Sequence, residues 1–588
     1  MRGGAPKVSI PLVGKVPLGD IPSLHKLADM GKHKHSDKLS GKNGERRVYL
    51  IGPGSALARD VTPKEMGFKA YNLARMAAIG MPVPAAFVLC TAFCRDYYAA
   101  KSSLPEGFRE LLRGNLRELE RLSGLSFGGE RRPLLVSVRS GAAVSMPGML
   151  DTVLNVGLND ATVTGLVRMT GNPRLAWDSY RRLIQSFAEV VHGAKPEAFD
   201  RALARRIKAA HIASASELDF MALRELATES LELYRELTGE NFPQSPVEQL
   251  AAAAEAVFRS WSGKKAREYR RIHQLQGASG TAVCVQTMVY GNSGGTSGSG
   301  VAFTRDPATG ENVLYMDFLF NAQGDDVVSG RHEVGDRAQI GALLPEVLLQ
   351  IESVRKRLET EFGDLQEFEF TVQDKQLFML QTRSGKRTPL AALRVAVEMV
   401  AEGLLEPAAA LARLDGYKLE SIVTEAVRAK NGQAPLARAI SAGVGVAVGE
   451  ITLDSETARR RAAAGKAVIL VREDTSTEDV SGIAAAAGIL TARGGRTAHA
   501  AVVARQMGKV CLVGCRELVI DLGKRSCSIG GKVLREAQVI SLDGGGGGIY
   551  AGAVEIVRAK PDKHLAEVAS WRARLPAPAT RPASRRRS

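Results

Sequence analysis

Residues 160 to 275 form a nearly continuous helical stretch rich in Ala, Leu, Glu and Arg, and the segments on either side are built of strands. A chain that separates its helices and strands this way cannot be one bundle or one sandwich. It has to be an α/β protein with several cores. Before the helical stretch, "RRVYLIG", "FKAYNLARMAAIG" and "MPVPAAFVLC" predict a strand, a helix ending at Gly80 and a turn into a second strand, and "PLLVSVRSG" predicts a buried strand. After it come strands in "TAVCVQTMVYG", "GVAFTRD", "NVLYMDFLF", "EFEFTVQ" and "QLFMLQTR". Residues 389 to 439 read as a mostly helical linker, and 440 to 558 as a compact block of short strands and glycine turns.

Length and charge narrow the function classes. A chain of 588 residues with 45% hydrophobic content sustains about three or four domains. The net charge of +16 suggests nucleic acid as a partner, but the first 47 residues carry ten Lys/Arg against four Asp/Glu and the last 30 carry eight against two. Twelve of the sixteen surplus charges therefore lie in two tails, 1–47 and 559–588, which are expected to be solvated and disordered. The body is close to neutral, so a nucleic-acid role is not expected. No run of about 18 apolar residues predicts a membrane span, and the start lacks the pattern of a secretory signal. The six cysteines suggest neither a disulfide scaffold nor a zinc site, and a cytoplasmic location is expected.

Three stretches carry chemistry. In "GNSGGTSGSGVAFTRD" (291–306), glycines and small hydroxyl residues between two strands suit either close backbone approach to a phosphate chain or a flexible hairpin. In "EFEFTVQDKQLFMLQTR", Glu367 and Glu369 alternate on one strand and Gln381 and Arg383 on the next. A hairpin would gather them as an Mg²⁺ and phosphate site, or leave them as the polar face of an ordinary amphipathic hairpin. Lys69 and Arg139, each beside a glycine, are either phosphate-binding or surface cations. The third stretch is "TARGGRTAHAAVVARQMG" (491–508). Its His499 is either a core histidine or a nucleophile. Gly494 and Gly495 would admit another molecule, and the small neighbours Thr497, Ala498, Ala500 and Ala501 would leave the ring open. The helix that follows would place its positive end at the imidazole, which suits a neutral nucleophilic ring and a negatively charged phosphohistidine. Arg493, Arg496 and Arg505 are candidates for phosphoryl oxygens.

Taken together and in order, "GFKAYNLARMAAIGMPVPAAFVL", "LLVSVRSGAAVSMPGMLDTVLNVGLND", "TSGSGVAFTRDPATGENVLYMDFLFNAQGDDVVSG", "EFEFTVQDKQLFMLQTRSGKRT" and "GILTARGGRTAHAAVVARQMGKVCLVGC" resemble pyruvate, phosphate dikinase. The resemblance implies an ATP-grasp nucleotide-binding domain over 48–388 with a helical insert at about 160–275, a helical linker over 389–439 and a swivelling β/β/α phosphohistidine domain over 440–558. It implies that Lys69, Arg139, Glu369, Gln381 and Arg383 belong to the nucleotide site, with Glu369 and Glu367 as Mg²⁺ ligands. Ser299 and Gly300 match the phosphate loop, Gly148 a second phosphate-contacting glycine, and His499 the phosphorylated histidine.

The implied chemistry takes ATP and phosphate to AMP and pyrophosphate, with a phosphoryl group left on His499 and passed to pyruvate to give phosphoenolpyruvate. The chain ends about where the family's acceptor barrel would begin. The expectation is therefore an enzyme running the ATP half-reaction, with the acceptor barrel on a separate polypeptide or another small molecule as the acceptor; a homo-oligomer is a further expectation. The competing expectation is an ATP-binding regulatory or scaffold protein. The motif also departs from the family. Arg496 stands in place of Met, Ala498 in place of Ser, Glu367 in place of Asp and Ser299 in place of Thr. Thr497 lies where plant members are switched by phosphorylation.

Overall fold

The computed structural model describes residues 47–57, 60–144, 146, 150–272, 275, 280–328, 337–428 and 434–574. Gly148, the extension up to residue 46 and the tail from 575 lie outside them.

Two antiparallel sheets form the first part. One has five strands in the order Val48–Ile51, Ala86–Leu89, Ala282–Thr287, Val136–Gly141 and Thr152–Val156. The other has four, in the order Gln376–Ser384, Gln366–Gln373, Gly298–Phe303 and Tyr315–Phe320. The helix Phe68–Ala78 links them. Its Asn72 side chain donates to the Thr382 carbonyl at 2.9 Å in the four-stranded sheet, and its Phe68 N–H donates to Ala142 O at 2.8 Å beside the five-stranded one. Gly67, at φ +75°, makes this possible, because a Cβ there would lie 2.2 Å from the Gly141 carbonyl oxygen. The start of the helix is thereby pressed against the end of the strand that carries Arg139.

The described residues of the helical tract form six α-helices: Thr162–Thr170, Pro173–His192, Glu197–Ala209, Phe220–Thr238, Pro246–Ser260 and Lys264–Ile272. Proline at the first turn, with the Asn172 side chain accepting from Leu175 N–H, starts the longest of them. Phe242 packs edge to face with Phe187 of this helix and with Tyr234.

Beyond residue 436 stands an eight-stranded sheet. Its four central strands, Val446–Thr452, Val468–Arg472, Gly488–Thr491 and Val510–Val513, are parallel. The last three read "VILVR", "GILT" and "VCLV", the apolar runs expected of strands covered on both faces. Separate apolar cores fill the two faces, and the helix His499–Gln506 lies over one of them.

Two expectations need correction. The stretch 389–439 is helical at Pro389–Ala401 and Pro407–Leu414, but Thr424–Arg428 is a strand paired antiparallel with Glu555–Ala559. Nor is the segment from 559 a solvated tail throughout. Asp562–Arg574 is a helix that buries Val568 and Trp571 against Leu393, Ala396 and Leu414. The net charge of the tail concealed an apolar stripe, and burying Val568 and Trp571 favours ordering the helix despite its basic composition. No described helix is long and apolar enough to cross a membrane.

Candidate active site

The register of the four-stranded sheet assembles the polar face. Glu369 pairs with Gln381 on one side and Val301 on the other, and Val301 pairs with Asp317. The neighbouring row runs Arg383, Glu367, Phe303, Tyr315. Residues opposite one another in a sheet point to the same face. The hairpin therefore brings Glu367, Glu369, Gln381 and Arg383 together, with a β-bulge directly after Glu369. Arg383 and Glu367 form an ion pair at 2.5 Å. Desolvation opposes the charge on Arg383, and Glu367 and Glu369 more than offset it.

Lys69 enters from the first turn of Phe68–Ala78. Its side chain stays open to solvent although protein surrounds it, as on the floor of a cleft. Burial by those walls, and then the positive charge of Arg139, lower its pKa, while Glu369 works the other way. Arg139, on the strand Val136–Gly141, has a buried Nε with no hydrogen-bond partner among the described residues. Lys386, which the sequence did not single out, stands near Arg383 and Glu367, and its pKa is lowered by burial and by Arg383. Four cations thus share the cleft with two carboxylates. Such an excess fits a polyanion, and the carboxylates are hard oxygen donors of the kind that hold Mg²⁺ against phosphates.

Ser299 and Gly300 are not in a loop. Both are buried in the strand Gly298–Phe303. Ser299 Oγ donates to Ala322 O at 3.0 Å, and a Cβ on Gly300 would lie 2.4 Å from the Phe370 ring. In this conformation both residues serve packing. The glycine-rich loop precedes them, and Gly294 and Gly295 are its open positions.

His499 is half-buried and opens its helix, with Thr475 Oγ1 at 3.4 Å from its Nδ1. Two residues earlier, Thr497 is anchored to the other part of the molecule. Its N–H and its hydroxyl both donate to Asp317 Oδ2, at 2.6 and 2.8 Å. Burial raises the pKa of Asp317 and the Thr497 hydrogen bonds counter it, while Oδ1 has no partner among the described residues. Tyr315 adds a hydrogen bond to Ser441 O at 3.0 Å, and the Arg496 guanidinium lies 5.3 Å above the Tyr315 ring. The His499 loop thus rests on the sheet face that carries Glu369, two inter-strand steps away, or about 10 Å.

The arginine candidates separate. Arg505 is buried and donates to Arg496 O at 2.9 Å, with its guanidinium over Phe303, so it shapes the loop and is not open to a phosphoryl group. Arg493 pairs with Glu473 at 2.8 Å on the surface. Gly494 serves the turn itself: it sits at φ +99°, with Ala498 Cβ 3.0 Å from where its own Cβ would be. Gly495 is buried and accepts from Ala498 N–H at 3.2 Å. Asp317, Thr475 and Lys386 were missed from sequence. The one visible signal was an aspartate inside the aromatic strand "YMDFLF".

Residues 100–337 match the family described as pyruvate phosphate dikinase, AMP/ATP-binding domain. Residues 464–547 match PEP-utilising enzyme, mobile domain. The chain is 42% identical over 515 residues to pyruvate, phosphate dikinase of Entamoeba histolytica, covering 87% of this chain and 58% of that protein. It is 41% identical over 527 residues to pyruvate, phosphate dikinase of Clostridium symbiosum, covering 89% and 60%. To the chloroplastic pyruvate, phosphate dikinase 1 of Arabidopsis thaliana it is 41% identical over 529 residues, covering 90% and 55%. The chain spans about 60% of the length of the curated relatives it matches.

Proposed function

We propose that this chain, which belongs to the pyruvate, phosphate dikinase family by its AMP/ATP-binding and mobile domains, uses ATP and phosphate to phosphorylate its own His499. AMP and pyrophosphate leave, and the β-phosphorus of ATP stays on the histidine. On this reading the two antiparallel sheets with their helical insert are an ATP-grasp nucleotide domain over 48–388, and 440–558 is a swivelling phosphohistidine domain. Lys69, Arg139, Arg383 and Lys386 hold phosphate oxygens, and Gln381 supplies an amide. Glu369 and Glu367 would hold Mg²⁺, which supplies charge neutralisation along the phosphate chain when bound. Gly148 keeps a proposed part in the phosphate site, and Ser299 and Gly300 support that site from the strand that follows the glycine-rich loop.

One observation carries the reading. The loop of His499 is hydrogen-bonded to Asp317, on the face and in the row of the sheet that holds Glu369 and Gln381. Phosphoryl transfer needs in-line positioning more than covalent chemistry from the protein, so a carrier histidine has to be able to rest on the nucleotide sheet and then depart. For the onward acceptor we propose pyruvate, the substrate in the relatives' names.

The test is incubation with Mg²⁺, phosphate and ATP labelled at the β-phosphate. The expected product is acid-labile, base-stable label on the protein, absent from His499→Ala. Wild-type protein that binds ATP yet takes no label would overturn the proposal.

A further inference from the structure

We propose that Arg496 is a positioning residue with two partners. It lies on the Tyr315 ring while His499 is unmodified and moves to the phosphoryl group once His499 carries one, so the transfer itself loosens the histidine loop from the nucleotide sheet. The proposal rests on the phosphohistidine reading above. Arg496 stands at the tip of the turn that leads into the His499 helix, a turn closed by Ala498 N–H donating to Gly495 O at 3.2 Å. Its backbone is held, because its carbonyl oxygen accepts from Arg505 Nη1 at 2.9 Å. Its side chain is committed to no carboxylate. Arg493 in the same loop pairs with Glu473 at 2.8 Å, and Arg505 is buried. Arg496 is half-buried, forms no ion pair among the described residues and lies 5.3 Å above the Tyr315 ring.

Tyr315 belongs to the nucleotide sheet, so this contact is one of those that join it to the histidine loop. The ring sits in a socket, with Arg505 over it at 6.0 Å and its hydroxyl donating to Ser441 O at 3.0 Å. Of the two guanidiniums, only that of Arg496 reaches solvent. A guanidinium on an aromatic face at a partly exposed site is weakly held. A phosphoryl group brings about two negative charges and three acceptor oxygens, and a guanidinium binds it bidentately through charge-assisted hydrogen bonds. The second partner is the stronger one. The unmodified ring offers Arg496 no anion. Once phosphorylated it does, three residues along the chain, and Arg496 exchanges partners. The nucleotide sheet then loses a contact at the moment the carrier has to leave it. A neutral side chain at 496 would neither hold the ring as a cation does nor follow the phosphoryl group.

The experiment reads hydrogen exchange of the full chain, without nucleotide, at the peptide covering Thr497. The Thr497 N–H donates to Asp317 while the loop rests on the sheet and exchanges when the loop lifts. Arg496→Met is expected to speed that exchange about 3–30-fold, the population change that losing a cation–π contact brings. Adding Arg496→Met to Tyr315→Leu should add nothing, while adding it to Tyr315→Phe, which keeps the ring, should give the full effect. Charge at position 499 is then supplied in two ways. In the first, phosphoramidate modifies His499: a ring nitrogen forms the new N–P bond, the P–N bond to the reagent's amino group breaks, and ammonia leaves with the ring proton. The second is His499→Glu, with His499→Gln as the neutral control. Both should raise exchange to the Arg496→Met level in chains that keep Arg496 and change nothing in Arg496→Met. An Arg496→Met chain that exchanges like wild type, or a charge at 499 that speeds exchange equally with and without Arg496, overturns the proposal. Neither arm uses ATP, so a wild type that takes no label from ATP sinks the phosphohistidine reading while the exchange rates still judge Arg496.

Discussion

Two charge clusters border the four-stranded sheet, and they treat the same residue types in opposite ways. Arg305, just past the strand Gly298–Phe303, is fully buried. Its guanidinium pairs with Glu359 at 2.9 Å, Glu398 at 3.1 Å and Glu402 at 2.5 Å. Those carboxylates come from or just beyond the helices Pro345–Phe362 and Pro389–Ala401, so the cluster ties the linker helix to the sheet. Each of these groups has its partner within the protein, and Glu398 also pairs with Arg394. In the cleft, Lys69, Arg139, Arg383 and Lys386 outnumber Glu367 and Glu369, and the Nε of Arg139 is unsatisfied. A buried charge whose partners all come from the protein holds parts together. Cations left in surplus, with one of them unpartnered, are on the proposed reading charge kept for a ligand.

That contrast fails if the two clusters respond alike to mutation. The largest effect is expected at Arg305→Ala, which strands Glu359 in the interior and should cost about 3–5 kcal/mol of stability. Equilibrium urea unfolding would show it as a lower midpoint, and a loss below about 1 kcal/mol would mean the cluster is not structural. Arg383→Ala comes next. A charge-assisted hydrogen bond to phosphate contributes about 1.5–3 kcal/mol, so affinity for Mg²⁺-ATP should fall about 10–100-fold. The unfolding midpoint should move less than in Arg305→Ala, because Arg383 is partly open and leaves one half-enclosed carboxylate, Glu367, where Arg305 leaves three. Titration calorimetry beside the unfolding curves separates these results. An Arg383 variant that binds ATP normally but unfolds early would make the cleft a second structural cluster.

How much of this was legible in the sequence depended on how local the signal was. The helical tract, the "EFEFTVQDKQLFMLQTR" hairpin and the helix at His499 follow from periodicity and glycine punctuation, which are set within a few residues. What stayed hidden is non-local. Asp317 acquires meaning only when the register sets it in line with Glu369 and Thr497 reaches it from 180 residues away. Arg505 looked like a phosphate ligand beside the histidine, yet one more turn of helix buries it beneath the loop. Ser299 and Gly300 looked like loop residues because glycine punctuation does not reveal that Phe370 packs against the missing Cβ. The helix Asp562–Arg574 was lost to its own charge count, since composition does not say which face of a basic helix is apolar.

The smallest expected effect is at Lys69, where the contrast becomes a matter of proton binding. Crowding by the cleft walls and by Arg139 lowers the Lys69 pKa in the folded chain below its ordinary value of 10.5. Between the two values the unfolded chain binds more protons than the folded one, so this residue makes stability rise with pH through that window. Below the window both states carry the charge and the folded state bears the whole cost. Above 10.5 both are neutral and the cost is gone. Lys69→Met should therefore make the ligand-free protein slightly more stable at neutral pH and flatten the alkaline part of its stability curve relative to wild type. A bound phosphate chain reverses the balance by pairing with the ammonium, so ATP should raise the melting temperature of wild type more than that of Lys69→Met. If the variant instead loses stability without ligand and keeps the full ATP-dependent gain, Lys69 belongs with Arg305 as a structural charge.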